Sequence, residues 1–270
     1  MPLNVPSRHN EKLSQLLARV NEDIELWQWW KCANINAVDR SGISDHGEVH
    51  IQIVANAALK MLRLLADAGV ETGIVKDHGL TYEDAEVIVV LAACLHDVGM
   101  AIHRDNHEQY SLILAAPKAR ELLSDIYEEP ERTIMMSELL HAVIAHHWDT
   151  RCYTIEAGII KVADALDLTQ GRSRIPFEAG QTNIHSVSAM AIDSVALEKG
   201  ETAPIRVVIT MSNSAGIFQV DELLKRKLKN STIAPYVQVV ARIEGETEKR
   251  LLEFYSISQE PQWEGGDNLT

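Results

Sequence analysis

The chain has 270 residues, 46% of them hydrophobic and 24% charged, a composition that argues against intrinsic disorder and predicts a folded globular protein. Its 25 basic and 39 acidic side chains give a formal charge of −14, which argues against general binding to a nucleic-acid backbone. Three separated cysteines favour neither a disulfide framework nor a thiolate zinc site. Because we find neither a signal peptide nor an apolar run long enough for a bilayer, we expect a cytoplasmic protein without a membrane role.

Apolar residues recur at helical spacing from about residue 11 to residue 168, which predicts that this part of the chain is all-α. The first predicted helix of interest begins near Ser44 or Asp45. His46 and His50 are four residues apart, so both rings would lie on one face of that helix. They could bind one metal ion together, or one could orient the other.

A second predicted helix begins at the capping residue Thr81 and ends near Gly99. Its sequence is almost wholly apolar, and it places His96 and Asp97 at its C-terminal end. Burying two polar groups there without partners would be costly. The pair is therefore a candidate for a buried functional site.

Two further helices complete the helical part. Pro130 can occupy the first turn of a helix that ends near His147, and Thr154 begins another that runs to Gly171. Asp164 lies between apolar residues of the latter helix, where Lys161, one turn earlier, offers the alternative explanation of a buried ion pair. Consecutive residues diverge by about 100° on a helix, so His146 and His147 can meet one site only near a helix end or between two metals.

After residue 176 the pattern changes to the alternation and β-branching of strands, with a short helix, ELLKRKLKN, capped by Asp221. The basic run at 225–229 within it would favour an anionic partner or simply form a solvated face. We predict a mainly α protein with a smaller C-terminal α+β domain. Its divisions are an N-terminal helical segment (1–40), a helical domain (41–182) and an α+β domain with a polar tail (183–270).

Histidines are concentrated in the helical domain. Nine of the eleven fall between residues 46 and 147, at positions 46, 50, 78, 96, 103, 107, 141, 146 and 147. Any one of them alone is more often a surface residue or a satisfied core residue. Together with carboxylates, however, neutral imidazoles are typical ligands of transition metals.

The ordered set resembles the HD superfamily of metal-dependent phosphohydrolases. The residues that carry the resemblance are His50-Ile-Gln-Ile-Val54, the pair in LHDVG, and KVADALDLTQGR with Asp164, and they span about residues 40–176. The resemblance implies an HD-type helical bundle. It also implies that His50, His96, Asp97 and Asp164 hold one metal, with Asp97 bridging to a second held by His107 and by one or both of His146 and His147. His46 would support these ligands.

The resemblance further implies two divalent transition metal ions of unknown identity (Mn, Fe, Co, Ni or Zn) that activate water for attack on phosphorus. Basic residues near the metals would stabilise the phosphoryl oxygens, and the candidates are Lys161, Arg172, Arg174 and Arg104. His103 is a candidate general acid for the leaving group, or a plain surface residue. Asp97 is both ligand and catalytic residue.

We therefore expect a hydrolase that cleaves a phosphoester or phosphoanhydride of a small, nucleotide-like substrate. Two alternatives stay open: a di-iron oxygenase on the same fold, and a regulatory protein whose site binds a nucleotide. A homo-oligomer is expected to form through the C-terminal domain or through the segment of Trp27 and Trp30, although these tryptophans also fit an internal packing seam.

Overall fold

The computed structural model describes residues 2–168, 188–244 and 255–257. Residues 2–168 contain eight α-helices and a small sheet follows them, which confirms a mainly α protein with a smaller α+β part. The helices are α1 (Glu11–Glu22), α2 (Ile24–Asn34), α3 (Glu48–Asp67), α4 (Gly73–His78), α5 (Tyr82–Leu95), α6 (His107–Leu122), α7 (Glu131–Ala145) and α8 (Ile155–Ala165).

Helix α5 forms the centre of the helical part. Thr81 caps it: the Thr81 hydroxyl accepts from the Asp84 backbone N–H, and the Asp84 carboxylate accepts in return. Every residue from Asp84 to Leu95 is buried, as expected for a helix that is apolar on all sides. The chain therefore delivers His96 and Asp97 into the protein interior.

Helix α3 begins three to four residues later than the sequence pattern predicts. The Asp45 carboxylate accepts from the backbone N–H groups of Gly47 and His50, both at 3.2 Å, and this local turn precedes the helix. The prediction that His46 lies on α3 is therefore wrong. Helix α3 is long and apolar enough to span a membrane, but half of it is buried inside the protein, where His50 is fully enclosed.

The tryptophans of α2 form a packing seam. Trp30 is buried, and its indole N–H donates to the Cys94 carbonyl at 2.8 Å. Trp27 lies edge-on to Trp30 with ring centroids 4.9 Å apart. Since Trp30 is enclosed within its own chain, it does not offer the surface that a subunit contact requires.

The C-terminal part is a sheet of β1 (Ile192–Lys199), β2 (Ile205–Met211), β3 (Val237–Ile243) and β4 (Tyr255–Ile257), in that order. β1 and β2 are antiparallel, β2 and β3 parallel, and β3 and β4 antiparallel. The crossover between β2 and β3 contains α9, which consists of the consecutive runs Ile217–Gln219, Val220–Lys225 and Arg226–Lys229. Asp221 lies inside α9 rather than capping it, because the helical turns begin earlier.

The C-terminal part packs directly on α8. A Cβ on Gly158 would overlap the Thr232 hydroxyl, which donates to the Thr154 carbonyl at 2.6 Å. Buried apolar residues of α9, including Leu224 and Leu228, belong to the same core cluster as those of the helices. The predicted boundary between residues 182 and 183 lies outside the described residues and stays a prediction.

Candidate metal centre

Five helices bring six of the predicted ligands together. His50 lies in the first turn of α3, His96 and Asp97 follow α5, His107 begins α6, His146 follows α7, and Asp164 lies near the end of α8. Five of the six are buried, with exposed fractions between 0% and 7%, and His107 is the partly exposed member. Buried polar groups at this density require partners.

Gly99 explains how α6 comes close enough to Asp97. Its backbone N–H donates to the Ser111 hydroxyl at 2.9 Å. A Cβ at this position would overlap the His107 carbonyl oxygen and the Ser111 backbone nitrogen. Only glycine therefore permits this approach, which positions His107 beside the carboxylate.

The first group of donor atoms is formed by His50, His96, Asp97 and Asp164, and we call it the inner group. Asp97 Oδ2 lies 3.4 Å from His50 Nε2 and 3.1 Å from His96 Nε2. Asp164 Oδ1 lies 3.4 Å from His50 Nε2 and 3.9 Å from His96 Nε2. One donor atom from each residue falls within 4.8 Å of all the others.

The second group is formed by Asp97, His107 and His146, and we call it the outer group. Asp97 Oδ1 lies 3.2 Å from His107 Nε2 and 3.4 Å from His146 Nε2. The two imidazole Nε2 atoms are 3.3 Å apart. Asp97 therefore turns one oxygen to each group, which is the geometry of a bridging carboxylate.

Hydrogen bonds on the far side of the rings fix which nitrogen faces the site. The Nδ1 atoms of His96, His107 and His146 each contact the carbonyl oxygen three residues earlier, at 2.9, 2.9 and 2.5 Å. A carbonyl only accepts, so each Nδ1 carries a proton, and in the neutral ring Nε2 presents a lone pair to the site.

Asp167 does the same for His50, since its Oδ2 lies 2.8 Å from His50 Nδ1. Sequence reasoning did not identify this carboxylate as part of the site. The available signal was its spacing in ALDL, which puts it one turn after Asp164 with apolar neighbours. Such a carboxylate orients the ring and raises its basicity as a ligand.

The donor set fits divalent cations. In their neutral tautomers the imidazoles direct lone pairs at one another and at carboxylate oxygens, so a positive charge between them is needed. Burial by itself would raise the pKa of Asp97, but the surrounding imidazoles hold it well below its usual value. Burial opposes charge on His107, yet contact with the Asp97 carboxylate raises its pKa to about 9.

Three predicted histidines lie apart from the two groups. His147 contacts Asp149 through Nδ1, and its Nε2 lies 3.7 Å from Glu108 Oε1. His103 is exposed, and its Nδ1 accepts from the Asp105 backbone N–H. His46 precedes α3, with its ring centroid 5.4 Å from that of His50.

Of the predicted basic residues, Lys161 and Arg104 lie within the described part of the chain. Lys161 is buried, and its ammonium donates to the carbonyls of Thr150 and Asn230 instead of pairing with Asp164. Burial lowers the pKa of Lys161. Arg172 and Arg174 lie outside the described residues, and Arg104 is exposed in the turn before α6.

Asp164 instead pairs with Lys227 of α9. Burial would raise the pKa of Asp164, and the Lys227 ammonium is the leading cause that holds it well below its usual value. The run KRKLK was predicted as a solvated face or a surface for an anionic partner. The signal that distinguishes Lys227 is its position between the buried Leu224 and Leu228, which turns it toward the protein.

The sequences of several known proteins are similar to parts of this chain. The HD domain family matches residues 50–169, a range that begins at His50 and contains both donor groups. An uncharacterized protein of Methanocaldococcus jannaschii is 46% identical over 216 residues, which are 80% of this chain and 83% of that protein. Ribonuclease Y of Clostridium perfringens is 24% identical over 151 residues, which are 53% of this chain and 27% of that protein. No solved structure matches the chain.

Proposed function

Because the chain belongs to the HD domain family, we propose that it is a two-metal phosphohydrolase that cleaves a phosphoester or phosphoanhydride bond of a small, nucleotide-like substrate. The observation that carries the proposal is the orientation of Asp97. One carboxylate oxygen faces His50 and His96, and the other faces His107 and His146. A pair of neighbouring cation positions is an arrangement that many phosphoryl-transfer enzymes use.

Bound divalent ions would supply Lewis acids that polarise a phosphoryl group and lower the pKa of a water molecule. The protein's own residues prepare the site for them. Asp167 and the backbone carbonyls hold each Nδ1–H, so the four Nε2 atoms need not reorient when a ligand arrives. Burial of the inner group keeps bulk water away from it, whereas the partly exposed His107 marks the side from which a substrate enters.

The net charge of the chain and its similarity to ribonuclease Y support the size and the chemical class that we propose for the substrate. A protein of charge −14 repels a long polyanion but accepts a small phosphorylated molecule at a cationic site. The relative named ribonuclease Y supports phosphodiester cleavage as the reaction class, over about half of this chain. The proposal therefore combines phosphoester chemistry with a small substrate.

The test is a screen of full-length protein loaded separately with Mn²⁺, Co²⁺, Zn²⁺ and Fe²⁺. The substrates are p-nitrophenyl phosphate, bis(p-nitrophenyl) phosphate and a panel of nucleoside mono-, tri- and cyclic phosphates. We expect hydrolysis of at least one of them, equally in air and under argon. Asp164→Asn should abolish it, whereas the control Asp149→Asn, which changes a carboxylate outside both groups, should retain it.

Two outcomes would overturn the proposal. Oxygen consumption by iron-loaded protein, without hydrolysis by the manganese or cobalt forms, would assign a di-iron oxygenase. Tight binding of a nucleotide without turnover under any metal loading would assign a regulatory nucleotide-binding protein.

A further inference from the structure

Lys227 of the C-terminal part contacts the metal centre, although it is not one of the residues that form the two donor groups. Its ammonium contacts Asp164 Oδ2, while Oδ1 of the same carboxylate faces His50 and His96. The two oxygens therefore have separate tasks. The ammonium therefore contacts the inner group through the Asp164 oxygen that is turned away from the histidines, and it need not leave when Oδ1 binds a cation.

Contacts of two neighbouring residues, Arg226 and Asn230, with Trp148 fix the position of Lys227. The Asn230 side chain donates to the Trp148 carbonyl at 2.9 Å, directly after His147. The Arg226 guanidinium lies over the Trp148 ring, 4.7 Å from its centroid. Together with the close packing of Gly158 against Thr232, these contacts hold the end of α9 against the rim of the metal centre.

The charge balance of the centre explains what a lysine would do there. Asp97, Glu108, Asp164 and Asp167 all face the histidines. Lys227 pairs with Asp164, one of these carboxylates. A phosphate that approaches these carboxylates requires compensating positive charge, which bound divalent ions would supply and which an ammonium beside them would add to.

The chemistry of the ammonium fits this role. Lysine has three N–H donors in a compact point charge, a form that binds phosphate oxygens. Asp164 takes one donor, and the Lys227 side chain is 17% exposed. The Asp164 carboxylate thus holds the ammonium beside the inner group.

We infer that Lys227 is a substrate-positioning residue, which binds a nonbridging phosphate oxygen while Asp164 holds the ammonium in place. This inference rests on the proposed function and adds that the C-terminal α+β part completes the substrate site. It also gives the basic run at 225–229 a specific role at one position. The neighbouring Lys225 pairs with Asp221 on the solvent side of α9 and serves as the matched control.

The experiment measures binding of inorganic phosphate to full-length, Mn²⁺-loaded protein by isothermal titration calorimetry, with metal content determined for each sample. Lys227→Gln should keep its manganese and weaken phosphate binding about tenfold or more, the effect of losing one charge-assisted hydrogen bond. Lys227→Arg should restore most of the affinity, and Lys225→Gln should bind as the wild type does. With a chromogenic phosphodiester, Lys227→Gln should raise KM more than it lowers kcat.

Unchanged phosphate affinity in Lys227→Gln would overturn the inference. So would loss of manganese in this variant with normal phosphate binding per remaining metal, because Lys227 would then act only on Asp164. The two proposals can fail separately. Phosphate binding that depends on Lys227, without cleavage of any ester, would remove the hydrolase and keep the inference, whereas hydrolysis with an unchanged KM in Lys227→Gln would do the opposite.

Discussion

The inner and outer groups share Asp97 but differ in their surroundings. Every member of the inner group is buried in helices that pack on all sides, and His50 and His96 are fully enclosed. The outer group includes His107, which directly follows an exposed turn at residues 102–106. The His107 side chain is 20% exposed. A rigid, enclosed donor set binds an ion tightly, whereas an open one leaves room for substrate and exchanges its ion more readily. From this difference we expect the inner group to hold an ion more tightly than the outer group, with Asp97 connecting the two.

The largest effect is expected from a substitution of Asp97, which belongs to both groups. Asp97→Asn keeps the shape of the side chain but removes the charge that both groups use, so both ions should be lost. We expect kcat/KM to fall by roughly 10⁴ or more, the scale of removing an essential member of a catalytic unit. Metal analysis and steady-state kinetics measure this. Retention of two ions by the variant would show that Asp97 does not bridge the groups.

Substitutions confined to one group should separate them. His107→Ala removes a donor of the outer group only, so about one ion per chain should be lost while the inner ion remains. His50→Ala affects the group that lies deepest and should also reduce the thermal stability of the metal-loaded protein. Stoichiometry by metal analysis and melting curves with and without EDTA provide the readouts. Equal metal loss in both variants would contradict the division into two groups.

The metal affinity of the inner group should also depend on Asp167, whose carboxylate contacts His50. Asp167→Ala removes the acceptor of the His50 Nδ1 proton, and such a loss typically costs 10-fold to 100-fold in metal affinity. Competition with a chelating dye measures the affinity. The control is Asp149→Ala, which removes the carboxylate that contacts His147 outside both groups. If both variants held metal equally well, His50 would not depend on Asp167 for its orientation.

The smallest expected effect is the pH dependence of ion binding by the outer group. In the metal-free protein the pKa of His107 is raised to about 9, so the ring is protonated at neutral pH and an incoming ion must displace a proton. Because the pKa lies above the working pH, affinity for the outer ion should rise with pH, by up to about tenfold per unit, and level off above about pH 9. The pKa of Asp97 is already depressed and adds no dependence in this range. Titrations with Mn²⁺ at several pH values test this. An affinity that does not change with pH would exclude a protonated His107.

The sequence alone was sufficient for the features that depend on local pattern. The apolar run between Thr81 and Leu95 specified a buried helix with its cap, and thereby placed His96 and Asp97 in the interior. Strand alternation after residue 176 likewise identified the α+β part. Domain limits, oligomeric state and cytoplasmic location stay predictions. The start of α3 was misplaced because the Asp45 carboxylate binds the backbone ahead of the helix, a contact that apolar periodicity does not register.

Only the tertiary structure decided which charged residues share the centre. Asp167, Glu108 and Lys227 reach it from positions that look ordinary in the sequence, whereas Lys161 turns away to backbone carbonyls although it lies one turn from Asp164. The physical reason is that these partners come from different elements. Helical spacing fixes the face on which a side chain lies, but the close approaches at Gly99 and Gly158 fix what that face meets. The sequence thus determined the ligands along each helix, and packing determined the two groups that they form.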